Sequence, residues 1–384
     1  MVDLSRRVRR FVTTEIPPWL AATISAAAIL VSLARSFSRQ VHPYALSQYQ
    51  YTYEHGFLIR GLPGELARLA CGRSSDCLVS LVEVVGTVSV LAFALVLWLV
   101  VQAQSRCAPA ANLMLTAVAS GPLLVQIAAA RGYHDALTLT LGLVAYHAFV
   151  RRRFVTSMLV FGLALLVHEL VAVYILPLFA LRLALSLRER PLFVRQLAVV
   201  LLLGVAALGV VKLGHASRRQ QREIASRLAD TQELGRGWRQ YRPAGIAAAK
   251  LEPGTVNAAR LRELTRPPNP RYVAPLALAL VLVLLLLALN RALLWFPLYA
   301  AALVAPVAIL LVAWDVERLL SLAGLTALFV CLFALERTAV RRAPVYVLAA
   351  TLTLCAVGLE THYNVRGRYA YSGTLFGPER QRPR

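Results

Sequence analysis

Apolar runs of about 14 to 24 residues recur between positions 18 and 359, and no other feature limits the possible folds so strongly. A helix of about 20 apolar residues crosses roughly 30 Å of hydrocarbon. Within hydrocarbon every backbone N–H and C=O must be satisfied by protein, so runs of this length are read as helices. Hydrophobic residues make up 58% of the 384-residue chain and charged residues only 16%, which is too apolar for a soluble domain of this size. Because the runs are spread along the chain, a cleaved signal peptide explains none of them.

The runs lie at 18–34, 78–101, 109–129, 136–150, 154–167, 170–187, 192–213, 272–290, 292–314, 319–336 and 343–359, about eleven spans in all. Arg6, Arg7, Arg9 and Arg10 precede the first run, which places the N-terminus inside by the positive-inside rule. Short loops then test the count, because arginines must fall on alternate connectors. They do: Arg106, Arg151–Arg153, Arg182, Arg188, Arg190, Arg195, Arg291, Arg337, Arg341 and Arg342 lie on one side. The short connectors of the other side carry only Arg131 and Arg318. The expectation is an all-α, polytopic integral membrane helix bundle with its C-terminus outside.

Within this single transmembrane domain, residues 36–77 form a first external loop, 214–271 a long external loop and 360–384 an external tail. The long loop carries twelve basic and five acidic residues, and long loops translocate largely regardless of charge. Helical character is expected at 218–234, where Ile224 and Leu228 are four apart, and Pro267, Pro268 and Pro270 close the loop. The runs at 136–150 and 154–167 are short for a perpendicular span, so their outer ends are expected to stop below the interface and leave a recess. The net charge of +22 would suggest nucleic acid in a soluble protein. Here the arginines sit in connectors, so membrane lipids are the expected partner and nucleic acid is not. No internal repeat is present, and inverted-repeat transport architecture has no support.

The topology sorts the unusual polar groups to one face. The first outer loop holds Glu54, His55, Arg60 and Glu65 within the stretch 51–65. The second holds Arg131, His134 and Asp135, the third His168 and Glu169, and the fifth Asp315, Glu317 and Arg318. Ionisable groups near membrane depth are expensive to desolvate, so they line cavities or pair with one another. Local ion pairs at helix ends, Asp315 with Arg318 or Asp135 with Arg131, are the structural alternative to a site. His168-Glu169 is harder to explain structurally, since it lies between two apolar runs. In the first loop, Gly56, Gly61, Pro63 and Gly64 can supply turns, and Leu62, Leu66 and Leu69 a short amphipathic surface helix. Glu83 and Lys212, near outer span ends, can snorkel to the interface or face a cavity. Cys71 and Cys77 lie close enough to close a disulfide loop on an oxidising side, although spacing alone does not establish the geometry.

Many spans, an acidic first external loop with a juxtamembrane helix, and a long external loop after the seventh span together resemble the GT-C class of integral-membrane glycosyltransferases. The resemblance covers roughly residues 18–359 and is architectural. The run Gly56-Phe57-Leu58-Ile59-Arg60-Gly61-Leu62-Pro63-Gly64, with Asp135, His168-Glu169 and Asp315-x-x-Arg318 further on, also looks like a group of bacterial polytopic proteins of envelope-polysaccharide type. The chain carries Glu54-His55 where the commonest GT-C signature has two adjacent acidic residues, so a divalent cation is left open as a cofactor. The resemblance implies a lipid-linked sugar donor on polyprenyl phosphate, a glycan or lipid acceptor, and a bacterial inner-membrane location with the active face external. A carboxylate would take the acceptor hydroxyl's proton while cations stabilise the departing phosphate. Glu54 is the first choice for that base and Asp135 the second. Arg60, Arg131, His134 and His168, with His55, are expected to contact phosphate or sugar. Glu169, Asp315 and Arg318 are expected to orient this shell or bind the acceptor. An oligosaccharide polymerase or ligase shares the chemistry, and a transporter or flippase of a lipid-linked anionic substrate is the alternative class.

Overall fold

The computed structural model describes residues 17–37, 43–49, 51–54, 57, 60–72, 74–104, 108–187, 189–214, 270–289, 291–307, 316–337, 361–364, 370–373 and 380–382. The fold is a bundle of apolar helices. In chain order these are α1 (Pro18–Phe37), α2 (Pro43–Gln48), α3 (Gly61–Cys71), α4 (Ser75–Gln104), α5 (Ala108–Ser120), α6 (Pro122–Ala129) and α7 (Asp135–Val150). They continue as α8 (Phe154–Val167), α9 (Leu170–Leu185), α10 (Arg190–Leu213), α11 (Pro270–Leu289), α12 (Phe296–Val304) and α13 (Val316–Arg337).

Each of the first ten expected spans overlaps helix among the described residues, the ninth being described only as far as 307, and the last, 343–359, lies outside the described residues. So does the expected helical segment at 218–234. By length and composition three helices among the described residues could cross a membrane: α4, α10 and α13. Six more apolar helices are shorter. The expected third span is broken, α5 and α6 meeting at 45°. Gly121 is extended (φ −86°, ψ −170°) before Pro122. A proline lacks the N–H that would continue α5 and pushes the residue before it out of helical geometry. The C-terminal tail departs from an all-α chain, since β1 (Thr361–Asn364), β2 (Ala370–Gly373) and β3 (Arg380–Arg382) pair as an antiparallel meander.

Burial varies sharply among the long helices. The span within α13 is 89% buried, against 44% for α4 and 22% for α10. Thus α13 is the central post and α10 lies at the rim. Around α13 an aromatic cluster joins Tyr146 of α7 to Phe179 of α9 and to Phe329 and Phe333, with ring centroids 5.6–6.1 Å apart. Tyr174 of α9 donates to the Leu319 carbonyl at 2.9 Å, and Thr326 donates to the Tyr174 carbonyl at 2.9 Å. In so apolar a core the interhelical hydrogen bonds fix the register that nondirectional packing leaves free.

Candidate functional site

One end of the bundle gathers the polar groups. Its rim is α3, the amphipathic helix expected from Leu62, Leu66 and Leu69, with Leu66 and Leu69 exposed. Gly61, Pro63 and Gly64 do not make turns. They lie in the helix, three of its four buried residues, and form the face over which the preceding loop passes. A Cβ on Gly64 would stand 1.9 Å from the Tyr51 carbonyl oxygen, so only glycine allows the backbone to cross here. Glu65 fastens the crossing by accepting from the Tyr53 N–H at 3.1 Å and from Arg68. At the far end of α3, Cys71 and Cys77 are joined by a disulfide that ties it to α4.

Arg60 caps the near end of α3 in the left-handed region (φ 67°, ψ 9°), unusual for a non-glycine residue. Its guanidinium makes a bidentate pair with Glu169, Nε donating to Oε2 at 3.1 Å and Nη2 to Oε1. Glu169 occupies the junction between α8 and α9. There His168 turns extended (φ −165°, ψ 131°) and ends α8, and its Nδ1 lies 3.1 Å from both the Glu169 carboxylate and the Leu170 amide nitrogen. The Leu170 N–H donates to that Nδ1, so the proton of the neutral ring sits on Nε2.

The floor of the site is the turn 130–135. Gly132 has φ 93°, and its backbone lies against Gly86 of α4, where a Cβ would stand 2.5 Å from the Gly132 nitrogen. This close approach buries Arg131, His134 and Asp135. Asp135 does not pair with Arg131. Its Oδ2 is 3.2 Å from Nη1 of Arg318, which starts α13 and stacks over the Tyr133 ring at 5.0 Å. Arg131 donates to the Phe37 carbonyl at 3.2 Å and stands 3.9 Å from Glu83, which faces it from α4. The reason is depth: turn 130–135 is sunk among α1, α4 and α13, so partners come from neighbouring helices and not from the same turn.

Burial, with the neighbouring His168 and Arg60, pushes the His134 imidazole down to about 3, so it is neutral at physiological pH. His168 is lowered by the same causes, burial and Arg60. Burial alone would raise the Glu169 carboxyl, but Arg60 and His168 outweigh it and hold Glu169 well below the usual range. Side-chain hydrogen bonding to Arg68 lowers Glu65. Among the described residues each of these three arginines thus faces a carboxylate, and both histidines are neutral.

The structure therefore brings together Arg60, Arg131, His134, Asp135, His168, Glu169 and Arg318 from four separate stretches of chain. Glu54 is exposed and stands 3.8 Å from Arg68, whose Cα is eight residues, about 12 Å of helix rise, from Arg60. His55 and Asp315 lie outside the described residues. Among the described residues no group of three or more His, Cys, Asp or Glu side chains is arranged to hold a metal ion. Sequence reasoning missed Tyr49, whose ring meets His134 edge-on at 4.8 Å, and Arg68, which the i,i+3 spacing from Glu65 could have found. Comparison with models of known families, with curated proteins and with solved structures finds no match.

Proposed function

We propose that this chain is a membrane glycosyltransferase that moves a sugar from a polyprenyl-phosphate-linked donor to an envelope glycan or lipid acceptor at the outer face of a bacterial inner membrane. The observation that carries the reading is the graded polar cluster at one end of an apolar bundle. Its side chains run from Arg60, 33% exposed, and Glu169, 20%, down to Arg318, 13%, His168, 5%, and Asp135, 3%. Helix α8 has 14 residues, about 21 Å of rise against roughly 30 Å of hydrocarbon. If Arg151–Arg153 mark the inner surface, His168 and Glu169 fall below the outer one, in a recess that a lipid-borne sugar could enter sideways.

The chemistry asks little of the leaving group and much of the base. The acceptor oxygen forms a bond to the anomeric carbon as the bond from that carbon to the phosphate oxygen breaks, and the electron pair leaves with the phosphate. A carboxylate takes the acceptor's proton. Burial within the cluster favours Asp135 over Glu54 for that role. Of the arginines paired with Glu169, Glu83 and Asp135, Arg60 is the most accessible, and its fork matches phosphate oxygens as well as it matches Glu169. A phosphate there would exchange with the Glu169 carboxylate, which Arg60 holds in the structure. His134, being neutral, is better suited to a sugar hydroxyl than to phosphate. No step here is routed through a divalent cation, and no donor set for one is described. The transport reading would gain from charged groups buried along the spans toward the other end. Among the described residues the fully buried charged side chains are Arg131 and Asp135, both at this end.

The test is transfer in membranes. Asp135→Asn is expected to abolish incorporation of labelled sugar from lipid-linked donors, with protein levels unchanged. Full transfer by both Asp135→Asn and Glu54→Gln would end the proposal, as would unchanged lipid-linked and surface glycans in a deletion strain.

A further inference from the structure

Beyond the roles proposed above for Asp135 and His134, the first turn of α7 carries several buried polar atoms without hydrogen bonds. His134 Nε2, both Asp135 carboxylate oxygens and Thr138 Oγ1 are buried and make no hydrogen bond in the structure. His134 is 2% exposed, Asp135 3% and Thr138 0%. Thr138 follows His134 by four residues and Asp135 by three, the two spacings that bring side chains to neighbouring positions on a helix face.

The polarity of the patch is defined. The His134 ring has a hydrogen bond to the Gln48 backbone that favours its protonated form, so the ring donates to the Gln48 carbonyl. Since Nε2 has no partner, the donor is Nδ1, and Nε2 of the neutral ring is a bare acceptor. Carboxylate oxygens only accept, and a threonine hydroxyl can do either. The three side chains thus offer mainly acceptors, the Arg318 guanidinium stands beside them with its buried Nε–H, and Arg318 balances the charge of Asp135. A patch without net charge gives neither phosphate nor a cation a strong advantage. It suits a neutral group that bears several donors.

Resting on the glycosyltransferase reading, we propose that His134, Asp135 and Thr138 form a hydroxyl-recognition subsite for the sugar ring of the lipid-linked donor, beneath a cover made by Gln48 and Tyr49. The cover fits the role: α2 ends at Gln48, the Tyr49 ring lies edge-on to His134, and both are buried over it. A site built to bond hydroxyls discriminates strongly against a ligand that lacks them, because its buried polar atoms are then left unpaired.

The experiment uses the full chain in lipid nanodiscs and native mass spectrometry with two kinds of probe: undecaprenyl phosphate, and undecaprenyl phosphate carrying glucose, mannose or galactose. At least one glycosylated lipid is expected to bind tenfold or more tightly than the bare lipid. Thr138→Val and His134→Phe are expected to erase that preference, Thr138→Ser to restore it, and bare-lipid retention to stay within twofold. A preference that survives in both variants overturns the subsite and leaves the transfer proposal standing. Equal binding of bare and glycosylated lipids by the unaltered protein also overturns it. If no polyprenyl lipid binds, the transfer reading fails instead. Thermal-shift titration with methyl hexosides then decides the subsite: stabilisation lost in Thr138→Val supports it, and no stabilisation, or one that Thr138→Val leaves intact, overturns it. Melting curves of each variant separate lost recognition from lost folding, and a variant that fails to fold is replaced by Thr138→Ala in the same assay, with the same two outcomes.

Discussion

Two arginine–carboxylate pairs stand at the same end of this bundle, alike in chemistry and different in depth. Arg60–Glu169 is a rim pair, a third of the arginine side chain remaining exposed, while Arg318–Asp135 is almost closed off. Water screens the first and can replace either partner, so the pair itself adds little stability. The second cannot lose one partner without stranding a charge in an apolar interior. The rim pair has good bidentate geometry, and the floor pair has none of the hydrogen bonds that would satisfy its carboxylate. Geometry is thus best where it matters least to folding. That is the pattern expected if the rim exchanges its partner for a ligand and the floor keeps the helices in register.

The comparison can be broken most directly at the floor. Arg318→Met should cost about 3–5 kcal/mol, seen as a large fall in Tm in detergent, because Asp135 is left buried and unpaired. Adding Asp135→Leu should recover most of it. At the rim, Gly64→Ala should cost about 1–3 kcal/mol by forcing the Tyr51 carbonyl away from α3. Arg60→Met should cost only about 1 kcal/mol while removing transfer activity. The order Gly64 above Arg60 is the sharp part: the rim is held by backbone contact and not by its ion pair. The smallest effect is on pH dependence. His134 is lowered from 6.5 to about 3 on folding, so the unfolded chain binds its proton first and stability falls as pH drops below about 6.5. From pH 8 to pH 6 this one group should remove about 0.8 kcal/mol, and His134→Gln should flatten that part of a Tm-against-pH profile. Glu169, held below its usual range, acts in a separate window, its contribution being present above about 4.3 and lost only in stronger acid.

The helices were legible because hydrocarbon-length apolar runs admit few folds, and the expected spans up to α13 each overlap helix among the described residues. The break at Gly121–Pro122 was not anticipated because the run on both sides is apolar, although the proline was in plain view. The convergence of the first loop, Asp135, His168-Glu169 and Arg318 was legible from the alternation of arginines. The partners were not. Asp135 could meet Arg131 locally or Arg318 across the bundle, and only the depth of the turn decides. The glycines of the first loop have two physical uses, turning a chain or letting another strand of backbone pass, and composition does not separate them. Glu54 stands out by its neighbours in sequence, and the crossing over α3 brings it to Arg68, a partner that the sequence does not single out.

The Cys71–Cys77 bond has a use beyond holding α3 against α4. Thiols stay reduced in the cytoplasm, so a disulfide in this loop is a sidedness tag written into the chain itself. Reductants that cannot cross the membrane, applied to intact spheroplasts before alkylation with a mass label, should reach both sulfurs if the loop faces outward. The orientation of every helix that follows could then be counted from that one covalent mark.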